Sequence, residues 1–237
     1  MKSLGKLIVF IVAAPIVFLV SAFVIATAYS NWFTYTHRFR LGIEVETPSG
    51  VKSASSVLKA VYAESPKWVP QNTSLSSGLH GEAVYLDLGE GKNIVALLAL
   101  GANGEQWMGP DLAARALKGE GLEKSLKSFW YRDAPSWTGR AELTGQYMPT
   151  LVTLADPAKP ETARVIRPGE FESVLAPGFR FRTAWVEMTT DAVTRVITGQ
   201  LPWLPTHKGY LAGRSDFDSN GTRPSRNLTG SEFTKGH

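Results

Sequence analysis

Read for the spacing of apolar and polar positions, the chain falls into three kinds of stretch. The first is a single unbroken apolar run, "LIVFIVAAPIVFLVSAFVIATAY", Leu7 to Tyr29. At 1.5 Å per residue it makes a helix of about 34 Å, enough for a hydrocarbon core of about 30 Å. Pro15 lies within the run, and in lipid a helix persists through such a residue with a kink. A buried helix of a soluble domain rarely runs this long without a polar face.

The second kind alternates. In "HRFRLGIEVET", Phe39, Leu41, Ile43 and Val45 fall on one side, and Arg38, Arg40, Glu44 and Glu46 on the other. A period of two marks a half-buried strand. Pro48 to Gly50 is turn chemistry, and "VKSASSVLKAVYA" predicts the partner strand. "FRFRTAWVEMTT" and "AVTRVIT" read as a late strand pair, and "MPTLVTLAD" as a further strand.

The third kind is apolar but short. "EAVYLDLGEGKNIVALLALG" predicts a hairpin around Gly89-Glu90-Gly91. Its second arm, Ile94 to Leu100, is apolar on both faces, as a central strand covered on both sides would be. Pro110-Asp111 opens a short helix over "DLAARALKG", which "LEKSLKSFW" extends, and "VIRPGEFESVL" reads as a helical turn. "SPKWVPQNTSLSSGLHG" reads as a long polar loop, and "LPWLP" closes the packed part. From Thr206 on, Gly, Ser, Asn, Thr and Arg dominate, which predicts a poorly ordered tail.

The expected organisation is a short basic N-terminus (1–6), a transmembrane helix or uncleaved signal anchor (7–29), an interfacial linker (30–37), a globular domain (38–205) and a flexible polar tail (206–237). The expected fold is mainly β with one or two short helices, a β-rich α+β class, preceded by a single N-terminal transmembrane helix. Lys2 and Lys6 precede the run, and Tyr29, Trp32, Phe33 and Tyr35 follow it, where interfacial aromatics gather. Ala26-Thr27-Ala28 also fits a signal-peptidase site, but the apolar run is longer than a signal peptide needs. The order of signals favours an anchor in a bacterial inner membrane, with the domain on the periplasmic or extracellular side.

Composition narrows this little. A hydrophobic content of 43%, with seven Trp and eleven Phe, suffices for a packed core. The net charge of +4 is mild and the basic residues lie scattered among acids, so no nucleic-acid footprint emerges. The chain has no cysteine, which excludes disulfides, thiol nucleophiles and Cys-based metal sites.

Candidate chemistry is sparse. In "DFDSNG", Asp216, Asp218 and Asn220 stand where the first, third and fifth ligands of a calcium loop would, followed by Gly221. The twelfth position is Asn227 where a bidentate Glu belongs, so a polar tail with turn residues is the better reading. His37, His80, His207 and His237 are too dispersed for a helical zinc pair. Ser56 and Lys59 have the spacing of a serine–lysine pair, but on a strand a three-residue offset sends them to opposite faces. "GEGK" lacks the spacing of a phosphate loop. Asp87, inside an apolar strand, reads as an outward-facing residue. Trp107, Trp130, Tyr131 and Trp137 crowd one region, where core packing is the ordinary explanation and an aromatic binding face the functional one. No catalytic, cofactor or metal residue is assigned.

Three blocks, "RLGIEVETPSGVKSASSV", "DPAKPETARVIRPGEFESVLAPG" and "VEMTTDAVTRVITGQLPWL", resemble an uncharacterised bacterial membrane-anchored protein family. The resemblance implies a domain over most of the exported part and carries no activity, cofactor or site. The expected partners are the lipid bilayer and another membrane or envelope protein. The expected function is a non-enzymatic envelope interaction or structural module. The alternatives are an envelope hydrolase with a dispersed carboxylate or serine site, and a carrier of lipid or a small apolar ligand in a sheet cavity.

Overall fold

The structure, a computed structural model, describes residues 15–25, 33–64, 75–119, 130–211 and 228–236. Two compact units divide the chain. One comprises the described parts of Met1–Tyr35 and Tyr62–Ser76, the other those of Thr36–Val61 and Ser77–His237.

In the first unit, residues 15–25 are helical and, apart from Ser21, apolar at the surface. Ile16, Val17, Phe18, Leu19, Val20, Phe23, Val24 and Ile25 are each 55–73% exposed. The remainder of the Leu7–Tyr29 run lies outside the described residues, and among those described no helix is long and apolar enough to cross a membrane. Elsewhere in this unit Glu64 N–H donates to Phe33 O at 2.9 Å.

The second unit is mainly β. Its strands are β1 (Thr34–Thr47), β2 (Gly50–Glu64), β3 (Leu75–Glu82), β4 (Val84–Gly89), β5 (Lys92–Leu100), β6 (Gln106–Trp107), β7 (Arg140–Glu142), β8 (Pro149–Leu154), β9 (Ala163–Val165), β10 (Arg180–Thr189) and β11 (Thr234–Lys235), with the ends of β1, β2 and β3 reaching into the first unit. Six of them form one sheet in the order β11-β3-β2-β1-β10-β7. Five form another in the order β4-β5-β8-β9, with β6 on β5. Between β3 and β4 the chain passes from one sheet to the other through the single residue Ala83, the first of four such crossings among the described strands.

The alternation expected of β1 is present: Phe39, Leu41, Ile43 and Val45 are fully buried, whereas Arg38, Arg40, Glu44 and Glu46 are not. The outer face carries its own order. Gly42 pairs with Trp185 of β10, and the indole lies where a Gly42 side chain would be, 2.2 Å from an added Cβ. An aromatic opposite a strand glycine restores the packing that the glycine lacks. Arg140 caps that indole at 3.9 Å and donates to Glu44 at 2.8 Å.

β5 is central, between β4 and β8, and every residue from Asn93 to Leu100 is buried. Asn93 sits inside this apolar strand because its amide copies a ladder: Nδ2 donates to Leu154 O at 2.8 Å and Oδ1 accepts from Leu154 N at 2.9 Å. The β4–β5 hairpin turns through Gly89, Glu90 and Gly91, all at positive φ, and Asp87 Oδ1 accepts from Gly89 N at 2.7 Å. The short helix Leu112–Lys118 forms after Pro110-Asp111, with Asp111 and Arg115 paired at 2.5 Å. Its expected extension lies mostly outside the described residues, and Trp130–Asp133 form a separate helical turn.

Three expectations need correction. Leu75 to Gly81, read as the end of a polar loop, belong to β3. Pairing on both sides, by β2 and β11, supplies the order that a Ser- and Gly-rich stretch does not announce. "AVTRVIT" is not a strand: residues 192–196 are irregular and Ile197–Gln200 are helical. Its backbone is held by the Glu82 carboxylate and by one bond to Val57 O, and not by a ladder. The tail expected from Thr206 on returns to the fold. Leu211, Leu228 and Phe233 are buried at 1% or less in the same cluster as Val95, Leu97, Val152, Ile197, Leu201 and Trp203, and Thr234–Lys235 add a strand to β3. Few apolar residues suffice when each fills a core position.

Candidate functional site

The segment Val193–Ile197 is pinned to β2 and β3. Thr194 Oγ1 accepts from Val57 N at 2.8 Å, and Thr194 N donates back to Val57 O at 3.2 Å. Glu82, 3% exposed, uses Oε1 to accept from Val196 N at 2.6 Å and Ile197 N at 3.1 Å. A buried carboxylate is tolerated when it takes charge-assisted bonds of this kind. The pinned segment separates two recesses of opposite character, both lined by Thr194.

The acidic recess, about 210 Å³, is lined by Ser55, Ser56, Glu82, Tyr85, Asp87 and Gln200 among others. Burial, then the Asp87 charge, pushes the Tyr85 hydroxyl above its ordinary pKa. Asp87 is exposed, as its outward-facing reading requires. The recess brings a serine beside carboxylates, as a hydrolase would. Ser56 Oγ is buried and has no hydrogen-bond partner among the described residues. Lys59 lines the other recess, in keeping with the strand offset from Ser56.

The basic recess, about 130 Å³, is lined by Lys59, His80, Gly81, Val193, Thr194, Arg195, Lys235 and Gly236. His80 lies on β3 two residues before Glu82, so the strand presents a base to one recess and an acid to the other. Its Nδ1 lies 3.1 Å from Gly236 O and donates to it. Gly236 has φ 65°, and a Cβ there would stand 1.9 Å from that nitrogen, so only glycine lets the imidazole lie against the strand. Lys235 Nζ sits 3.1 Å from the centre of the Trp107 ring. Burial pushes the Lys235 ammonium below its ordinary pKa, against an opposing pull from Glu232.

The aromatic residues singled out in the sequence divide. Trp130 stacks on Trp137 at 5.9 Å and 21°, and meets Tyr131 edge-on at 6.1 Å; Lys118 Nζ lies 4.9 Å above the Trp137 ring. Tyr131 is buried, while Trp130 and Trp137 are half-buried. Trp107 stands with Lys235 instead and is 60% exposed. His37, on β1, lies 6.4 Å from the Trp130 ring; it is 4% exposed, and burial lowers its pKa to about 4. His207 packs edge-on against Trp203 at 5.5 Å and joins neither recess. Asp216, Asp218 and Asn220 lie outside the described residues, and among those described no three His, Asp or Glu side chains are grouped to hold a metal.

Sequence reading missed the two recesses because their residues come from four distant segments, near positions 56–59, 80–87, 193–200 and 235. The one local signal was the alternation His80-x-Glu82, which a loop assignment concealed. No family model, no curated protein and no solved structure matches this chain.

Proposed function

We propose that this chain is a membrane-anchored module of the bacterial envelope whose β domain works by binding and not by covalent chemistry. The observation that carries the reading is the helix of residues 15–25, whose eight large apolar side chains are each more than half exposed. Burying such a side chain is worth about 1.5–3 kcal/mol, so the helix has a strong drive toward an apolar medium that the described chain does not supply. Its place within the Leu7–Tyr29 run, after Lys2 and Lys6, fits an anchor with the β domain on the outer side of the inner membrane. The binding reading is supported by the two open recesses that flank the segment Val193–Ile197.

The test is fractionation of the full chain carrying a C-terminal tag, with alkaline extraction, intact mass and protease treatment of spheroplasts. Retention in the extracted membrane at full mass, with the tag digested from outside, is the expected result. Release into the soluble fraction, or a mass ending the N-terminal segment near Ala28, would overturn the anchor. A protected tag would overturn the orientation.

A further inference from the structure

Among the described residues, Arg40, Lys92, Arg115, Arg140, Lys159, Arg167, Arg180 and Arg182 each stand within ion-pair distance of a carboxylate. The basic recess gathers cations that are not so paired. Lys59, Arg195 and Lys235 converge on it together with His80, and no Asp or Glu lines it. None of the three has a carboxylate within ion-pair distance among the described residues; Glu232 acts on Lys235 at longer range, with its carboxylate taken by Thr229 N and Oγ1. Three like charges around one concavity focus a positive potential.

We propose that this recess is a binding site for an oxyanion of the phosphate class, whether free or carried on a larger molecule. The volume of about 130 Å³ compares with about 30 Å³ for one water, which suits a group of several heavy atoms. The donor set suits it as well. A guanidinium gives paired N–H groups to two oxygens, while the ammoniums act as point charges. The walls of the recess are closely packed. Gly81, at φ 137°, leaves no room for a side chain, since a Cβ would lie 2.6 Å from Leu58 Cδ2, and Gly236 holds the imidazole back. Thr194, pinned at both its N–H and hydroxyl, keeps the neighbouring Arg195 backbone in place. Lys235 lies on the Trp107 ring, so an anion drawing on that ammonium changes the environment of an exposed indole.

This inference does not depend on how the chain is anchored, and its test separates the two. Detergent-solubilised full chain is titrated with sodium phosphate against sodium chloride at constant ionic strength, and tryptophan emission is followed in the natural chain and in Trp107→Phe. A saturable change that phosphate produces, chloride does not, and Trp107→Phe largely removes is expected. Lys59→Ala with Arg195→Ala weakens it by at least about tenfold, Arg195→Lys weakens it by less, and Lys208→Ala, an equal charge loss outside the recess, leaves it within about twofold. Nanodiscs of phosphatidylcholine, with and without phosphatidylglycerol, identify the source. Saturation by free phosphate in neutral discs marks a soluble group; a response only to phosphatidylglycerol marks a lipid headgroup. No saturation with either, an equal response to chloride, or equal weakening by Lys208→Ala overturns the proposal.

Discussion

Two stretches of this chain are apolar on every side, and they meet opposite fates. In β5, Ile94 to Leu100 are at most 6% exposed, because β4 and β8 flank the strand and residues on both its faces are covered. In the helix of residues 15–25, the large apolar side chains are 55–73% exposed. Composition alone does not distinguish them. The difference is that a nine-residue strand is covered by its neighbours, whereas the eight large apolar side chains of the helix stay more than half exposed among the described residues. An all-round apolar segment is therefore a statement about surroundings, which for β5 the rest of the domain supplies.

The sharpest way to break the comparison is to charge the helix. Leu19→Arg with Val20→Arg is expected to cost about 6 kcal/mol of insertion free energy, at about 3 kcal/mol for each arginine at the centre of a span. The variant should move to the soluble fraction with the melting of its β domain unchanged. Loss of β-domain melting as well would mean that the helix belongs to the fold. The converse change, Leu97→Ala in β5, should lower unfolding free energy by about 3–4 kcal/mol in denaturant titration while the chain stays in the membrane fraction. A cost below about 1 kcal/mol would deny that this strand is the tightly packed centre.

His37 tests burial by a different route. Burial holds its folded pKa at about 4, against the ordinary 6.5, so the unfolded state binds the proton more readily. Above pH 6.5 both states are neutral and the group adds no pH dependence. Between pH 6.5 and 4 only the unfolded state gains the proton, and stability falls by about 3 kcal/mol in total as pH drops. Melting of the natural chain should therefore decline more steeply from pH 7 to pH 4.5 than that of His37→Phe, and parallel slopes would contradict the burial. Smaller still is Gly42→Ala, expected to cost about 2 kcal/mol because Trp185 must leave its place on β1. Adding Trp185→Ala to this variant should make the second change cheaper than it is alone, and simple additivity would show that the two residues do not compete for that space.

The parts of the fold legible in the sequence are those where burial follows a local period. β1 alternates because one face is buried, and β5 does not alternate because both are. β3 was illegible because Ser76, Ser77 and Gly78 signal a loop, and only its neighbours make it a strand. Residues 192–198 carry a strand-like composition, yet Glu82 takes the N–H groups of Val196 and Ile197, and Thr194 bonds Val57 through its hydroxyl and its N–H, contacts between segments more than 100 residues apart. Leu228 and Phe233 are single apolar residues in polar surroundings, and no periodicity marks them as core. The basic recess follows the same rule: Lys59, His80, Arg195 and Lys235 are each unremarkable in sequence and become a site only by convergence.

The pairing of β11 with β3 has a consequence for the order of assembly. Thr234 meets Glu82 and Lys235 meets Gly81, so the open edge of β3 is closed by residues some 150 positions later. β1 likewise waits for β10. During synthesis β1 and β3 emerge beside β2 but each with one edge open, and contacts so distant in sequence form slowly. A chain fixed to a membrane near its start would hold those open edges at the bilayer until the last segment arrives, which makes the time between emergence and closure the period of greatest exposure to aggregation and to proteases.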